Sequence, residues 1–325
     1  MTASDNSFAS SGSSEESLLA PVPDPSSVGV GPTLRLLIRG MRPTQWIKNL
    51  LVFAAPAAAG VLSNWQTTVS VIGTFLVFCV VASGTYLVND VIDAGSDRHH
   101  PTKKDRPVAS GALRPHTALV AAGVLIATGI AAAGVIGPFG LVIVVVAYAG
   151  LSIAYSIRLK QEPVMELAVV AAGFVLRAVA GGVAANVPLS NWFLVFTSFA
   201  ALFVVTGKRC AEYTRLGRDR GDHRAVLDKY TESFLKSTLT ISATVTVAAY
   251  CLWAFERTGG LLARAGHNVV WIELTVVPLV LAVLHILRLL DSGQGGEPEQ
   301  LAIHDHVLQG YGALWLALMI IGIYA

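Results

Sequence analysis

Charge is what this sequence has least of. Only 14% of its 325 residues are Asp, Glu, Lys or Arg, against roughly a quarter in soluble domains, while 54% are hydrophobic. With a mean hydropathy of +0.61, these fractions exclude an ordinary soluble enzyme and point to a chain that crosses a membrane many times. Neither sign of charge dominates. The 23 Lys and Arg stand against 21 Asp and Glu, a formal net charge of +2, and no continuous basic tail is present, so nucleic acid is not an expected partner. Cysteine is scarce too. Cys79, Cys210 and Cys251 are widely separated in apolar surroundings, which excludes a disulfide framework or a zinc site from spacing and leaves them as packing residues. No signal peptide is expected either, because the first residues lack a basic start and an apolar run. Residues 1–32 are instead rich in Ser and Pro with a few acids (Asp5, Glu15, Glu16, Asp24), and are expected to form a disordered, retained cytoplasmic tail before a single catalytic domain over 33–325.

What the sequence does have is apolar length. From Pro43 onward, stretches of about 17 to 23 apolar residues recur, enough to cross a hydrocarbon layer about 30 Å thick. Nine are expected: 44–62, 68–89, 116–134, 138–156, 164–184, 191–207, 235–256, 268–288 and 307–325. Helices are the only reading, since open strands at that depth leave backbone groups unpaired. The expected fold is therefore all-α, a polytopic membrane bundle of nine transmembrane helices with a polar cavity facing the cytoplasm. Orientation follows from the basic residues. All but three of the 23 fall on the side of the N-terminus; Arg257 and Arg264 lie opposite and Arg177 lies within a span, so the N-terminus and the long loops are expected in the cytoplasm.

The same loops hold nearly all the polar residues. The sharpest signal is Asn89-Asp90-Val91-Ile92-Asp93-Ala94-Gly95-Ser96-Asp97, where the second stretch leaves the membrane. On a helix Asn89, Asp93 and Asp97 lie one turn apart on one face, with Tyr86 a turn earlier and Asp90 on the flank. Such a face gathers hard oxygen ligands of the kind Mg²⁺ takes, one or two carboxylates with substrate phosphates completing the shell. Acids that end an apolar span are costly to place, which weighs against a merely solvated helix end. Cations follow at once: Arg98, Lys103, Lys104 and Arg106 in DRHHPTKKDRPVASG. Metal ligands beside Lys and Arg are what a diphosphate requires. His99 and His100 are read as solvated, because such a site has no need of imidazole.

The run NDVIDAGSDRHHPTKKDRPVASG resembles the first aspartate-rich motif of the UbiA superfamily of intramembrane prenyltransferases. That resemblance covers the chain from about residue 40 and implies the nine-helix fold. Most of that superfamily carries a second motif, DxxxD, after the sixth span; here the segment is Gly207-Lys208-Arg209-Cys210-Ala211-Glu212, read as a phosphate-binding cluster. Together with MRPTQWIKN at 41–49, YSIRLK at 155–160, and GGEPEQ at 295–300 followed by Asp305, it resembles the decaprenyl-phosphate phosphoribosyltransferase branch. The resemblance implies phosphoribosyl diphosphate as donor, decaprenyl or another polyprenyl phosphate as acceptor, Mg²⁺ as cofactor, and a role in building cell-wall arabinan at the plasma membrane. Glu166 departs from the pattern, standing where the branch leads one to expect Asp.

Roles follow as expectations. Asn89, Asp93 and Asp97 are to hold the metal, with Asp90 and Asp93 catalytic. Lys48, Tyr86, Lys103, Lys104, Arg106, Tyr155, Arg158, Lys160, Glu166 and Glu212 are to bind substrate, while Arg177, Lys208 and Arg209 are candidates for the lipid phosphate or the 5-phosphate. Arg177 stands out because it lies within a span, with Gly173 and Gly181 a turn either side on its face, so a close helix and an internal cavity are expected there. A structural pair with Glu166 is its alternative role. Two other functions stay open: prenyl transfer to an aromatic ring, and a transporter or channel with the charges along a pore. No segment selects an oligomeric state, so a homo-oligomer is left open.

Overall fold

Inside a bilayer each apolar stretch must close its backbone hydrogen bonds on itself, and among the described residues every regular element is a helix. The computed structural model describes residues 30–217, 225–259, 270–293, 301 and 304–324. Most of the N-terminal tail, the basic stretch with Arg218, Asp219, Arg220, Asp222 and Arg224, the segment bearing Arg264, and the run at 295–300 lie outside the described residues.

A helix α1 (Val30–Met41) leads into a 3₁₀ segment (Pro43–Phe53) and the short α2 (Ala54–Ala59). The bundle continues with α3 (Trp65–Asp97), α4 (Pro115–Ile136), α5 (Phe139–Ile157), α6 (Met165–Ala184), α7 (Asn191–Leu216), α8 (Glu232–Gly259), the pair α9 (Val270–Leu274) and α10 (Val276–Asp291), and α11 (His306–Tyr324). Eight of these spans, with α9 and α10 counted together, are long and apolar enough to cross a membrane. The ninth expected stretch, 44–62, is helical without being one α-helix. Pro43 opens it in 3₁₀ form, and one side of it packs into the bundle: Val52 is fully buried in one cluster with Phe78, Leu141 and Ala180, while Ile47 and Leu50 on the other side are exposed.

That packing depends on Gly181 of α6. A β-carbon there would sit 1.7 Å from the carbonyl oxygen of Val52, so only glycine lets the 3₁₀ backbone lie against α6. Gly181→Ala is expected to cost at least the roughly 1–3 kcal/mol typical of overpacking, because backbone rather than a side chain must move. Gly150, on an open face of α5, meets nothing within 4 Å, and there Ala should be neutral or stabilising. Thermal unfolding of the two variants in detergent distinguishes them; equal midpoints would contradict the close approach.

The stretch expected at 268–288 is interrupted at Thr275. Pro278 cannot donate to the carbonyl of Leu274 a turn before it, and the Thr275 hydroxyl bonds the Ile272 carbonyl at 2.5 Å and the Tyr250 hydroxyl at 2.6 Å. Side chains close the ends of other helices. Asn64 accepts from Thr67 N at 3.1 Å to start α3, and Asp305 accepts from Leu308 N at 2.8 Å to start α11. That amide, and then the His285 ring 3.1 Å away, hold the Asp305 carboxyl below the usual carboxylate range.

Candidate active site

The apolar part of α3 ends near Leu87, but the helix runs on to Asp97, and its last turns carry the acids to the mouth of a cavity of about 860 Å³. Helical geometry splits them into two sets. Asn89 and Asp93 line the cavity, with Tyr86 a turn below Asn89. Asp90 and Asp97, roughly 40–100° round the helix from that pair, are buried and do not line the cavity, so Asp97 is not on the metal face where it was expected.

Each acid meets a cation from a different part of the chain. Asp90 accepts from Arg42, Asp97 accepts from Arg106 at 2.6 Å, and Asp93 Oδ1 accepts from Lys160. Arg106 also reaches Asp90 at 3.4 Å. Arg42 reaches Asp90 because its backbone is left-handed (φ 52°, ψ 63°): Pro43 disfavours the right-handed helical region for the residue before it, so α1 breaks there and turns the guanidinium inward, 5.2 Å from the Tyr86 ring. Desolvating three carboxylates at a helix end is tolerable because each is paired.

Two oxygens stay uncommitted. Among the described residues, neither the Asn89 side chain nor Asp93 Oδ2 has a protein partner, and both belong to residues one turn apart on the cavity wall. No cluster of three His, Cys, Asp or Glu that could hold a metal is present among the described residues. One amide oxygen and one carboxylate suit a hard cation that keeps several waters and takes the rest of its shell from substrate phosphate. The donor set therefore fits Mg²⁺ carried with a diphosphate, and it fits poorly a metal fully caged by protein.

A second node lies where α6 meets α7. Glu166 is completely buried and accepts from Arg209 Nε at 2.9 Å and Nη2 at 3.0 Å, while Arg209 Nη1 donates to Glu212 at 2.8 Å. One guanidinium thus serves two carboxylates. The start of α6 that aims Glu166 is a strained γ-turn at Val164 (φ 65°, ψ −48°), closed by Met165 N to Pro163 O at 2.7 Å. Val164 N donates to the Tyr230 hydroxyl at 2.8 Å, which ties this turn to the segment after α7, whose Leu227 also lines the cavity.

A third node forms the cavity floor. Arg177 Nε donates to Asn49 Oδ1 at 2.7 Å, Nη1 to the Gly173 carbonyl at 2.6 Å and Nη2 to the Tyr148 hydroxyl at 2.8 Å, and its charge lies 4.6 Å from the Tyr148 ring centroid. The alternative pairing of Arg177 with Glu166 is not what forms. Eleven residues along α6 separate them by about 16 Å, and Arg209 has taken Glu166.

Of the remaining sequence candidates, Lys48, Lys103, Tyr155, Lys208 and Glu212 line the cavity, whereas Lys104 and Arg158 are exposed and do not. His100, expected to be solvated, lines it too; its Nδ1 accepts from Thr102 N at 3.3 Å and closes the turn that carries Lys103. His99 is exposed. Sequence reasoning passed over Arg42, Gln45, Tyr148 and Arg215 as site residues, all of which line the cavity. Tyr148 had a signal: with Ser152 and Tyr155 it makes a polar stripe at helical spacing along an otherwise apolar stretch.

The sequence pattern of the UbiA prenyltransferase family matches residues 50–320, most of the chain. The chain belongs to that family. Among proteins it resembles is the decaprenyl-phosphate phosphoribosyltransferase of Mycobacterium tuberculosis, 41% identical over 285 residues that cover 86% of this chain and 92% of the relative. That of Mycolicibacterium smegmatis is 39% identical over 294 residues, covering 89% and 92%. In fold, this UbiA-family chain resembles a UbiA homolog from Archaeoglobus fulgidus solved bound to GPP and Mg²⁺, with a TM-score of 0.67 at 17% identity, covering 88% of this chain and 98% of that one.

Proposed function

We propose that this UbiA-family enzyme transfers a 5-phosphoribosyl group from phosphoribosyl diphosphate to decaprenyl or another polyprenyl phosphate and releases diphosphate. Its product would serve as a precursor for cell-wall arabinan. The observation that carries this reading is the similarity, over nearly the whole length, to proteins named for that reaction. The cavity supports it. Asn89 and Asp93 stand on one wall, and Arg42, Lys48, Lys103, Arg106, Lys160, Arg177, Lys208 and Arg215 line the others, a balance suited to substrates that bring several phosphates.

Asn89 and Asp93 would hold Mg²⁺, which supplies charge neutralisation at the departing diphosphate. Lys160, now on Asp93, lies within reach of that diphosphate and would take one of its oxygens. Asp90 and Asp97 would act by position: they fix Arg42 and Arg106 at the mouth, while Arg209, clamped by Glu166 and Glu212, shapes the wall near Lys208. A non-bridging oxygen of the lipid phosphate attacks ribosyl C1 on the face opposite the diphosphate. The new C1–O bond forms as the old one breaks, and its electron pair leaves on the diphosphate. The attacking oxygen is already ionised at neutral pH, so no general base is needed. Rate enhancement then comes from positioning and from charges fixed in advance. The positive-inside pattern supports placing the cavity mouth and the N-terminus in the cytoplasm, at the plasma membrane.

The test is to incubate purified protein in detergent with Mg²⁺ and ribose-labelled phosphoribosyl diphosphate, with and without decaprenyl phosphate. Label should enter the organic phase only with the lipid, and EDTA should abolish it. Absence of lipid-borne label beside an active control would overturn the proposal, and a prenyl diphosphate with an aromatic acceptor would be tried next.

A further inference from the structure

Arg177 differs from the other strongly held cations around the cavity. Arg42, Arg106, Lys160 and Arg209 each touch at least one carboxylate. Arg177 is 95% buried by its 5% relative exposure, and among the described residues its three hydrogen-bond partners, the Asn49 amide, the Gly173 carbonyl and the Tyr148 hydroxyl, are all neutral. These bonds satisfy geometry without cancelling charge. A guanidinium buried in a span without a counter-ion is costly, and that cost persists in a fold only where something offsets it. Its five N–H groups have three partners in the protein, which leaves one on each terminal nitrogen, the spacing of a fork for two oxygens of one anion. Arg177 also lines the cavity.

We infer that Arg177 is the docking point for the acceptor's phosphate monoester at the floor of the cavity. This rests on the phosphoribosyl-transfer reading and adds which phosphate goes where. Depth separates the two candidate anions. Thr85, another cavity-lining residue of α3, precedes Asp93 by eight residues, so the wall extends about 12 Å inward from the acidic face. Arg177 itself is twelve residues into α6, about 18 Å from the start of that helix. Phe174 and Phe78 flank it, with ring centroids 5.8 and 5.9 Å from its charge. A lipid phosphate must keep its chain in hydrocarbon and is suited to a single cation among aromatic rings. A water-soluble donor with three phosphates is suited to the mouth, where Lys48, Lys103, Lys160 and Lys208 lie on the cavity wall. Reaction geometry agrees. A diphosphate held at Asp93 leaves toward the mouth, so the nucleophile approaches C1 from the floor.

Farnesyl phosphate serves as a short polyprenyl monophosphate probe and farnesol as its uncharged control, both titrated calorimetrically into the detergent-solubilised protein. Arg177→Met should weaken farnesyl phosphate about tenfold or more, the scale of a lost charge-assisted pair, and leave farnesol unchanged. Arg177→Lys, which keeps the charge without the fork, should give an intermediate loss, and Tyr148→Phe a smaller one; these two variants carry the test if Arg177→Met does not fold. Binding of phosphoribosyl diphosphate with Mg²⁺ should stay within twofold in all of them, and in the transfer assay the KM for lipid should rise while that for donor holds. Unchanged farnesyl phosphate affinity would overturn the inference, as would selective loss of donor binding, which would place the 5-phosphate at the floor. A wild type that binds farnesyl phosphate through Arg177 and yet transfers no ribosyl group would instead sink the proposed reaction and leave the anion site standing.

Discussion

Asp93→Asn is expected to lower phosphoribosyl transfer at least about a thousandfold, the upper range seen when one preorganised charge-stabilising group is removed. Asp93 carries the only cavity-facing carboxylate oxygen of the α3 acids without a protein partner among the described residues; an amide there is neutral and turns its NH₂ either to the cation or to the Lys160 ammonium, which also donates. The change is isosteric and sits on a helix wall facing open space, so size-exclusion profile and thermal midpoint should match wild type. Asp90→Asn should behave differently. Asp90 is buried under Arg42 and Arg106, and its loss should cost stability together with a smaller part of the rate. Initial rates of lipid labelling for the two variants measure this directly; more than a tenth of wild-type activity in Asp93→Asn would mean that the metal face lies elsewhere.

Glu166→Gln carries the largest expected effect on stability. It would leave Arg209, itself buried, with Glu212 as its one carboxylate, and breaking a buried pair from one side typically costs about 3–5 kcal/mol. Glu166→Asp should cost less, yet still more than a conservative swap suggests. A side chain one methylene shorter would have to give up part of the paired contact with Nε and Nη2 of Arg209 unless the backbone shifts. Removing both partners as Glu166→Gln with Arg209→Met should recover part of the loss. A double-mutant cycle read by thermal unfolding in detergent gives the coupling; additive effects would show that the pair contributes nothing jointly.

The bundle was legible because a bilayer demands long apolar helices, and every expected stretch from 68 onward is helical, although the helices at 68–89 and 191–207 run on past their apolar part to Asp97 and Leu216 and that at 268–288 is interrupted at Thr275. The 44–62 stretch is different in kind. Its apolar length signals burial, but 3₁₀ geometry is set by Pro43 and by contact with Gly181, a partner more than a hundred residues away. The face shared by Asn89 and Asp93 could be read from helical spacing alone. That Asp90 and Asp97 are already committed could not, because their partners Arg42 and Arg106 are delivered by separate turns. The same holds for Arg209. Two adjacent cations in sequence look like one phosphate cluster, whereas the fold leaves Lys208 on the cavity wall and gives Arg209 to Glu166, 43 residues earlier. Pattern shows which face a residue occupies, and only the assembled bundle shows which charges are already taken.

The pairing of Lys160 with Asp93 has a consequence for the order in which ligands are felt. A divalent ion arriving alone has to compete with an ammonium tethered at high local concentration, so its unassisted affinity should be poor. A diphosphate arriving with the ion offers that ammonium a new anion and removes the competition. Metal and donor are thereby thermodynamically linked, and each should tighten the other by the same factor. Titrating one in the presence and absence of the other closes that square, and Lys160→Met should tighten the metal alone and lower the factor, leaving the part that direct contact between cation and phosphate supplies.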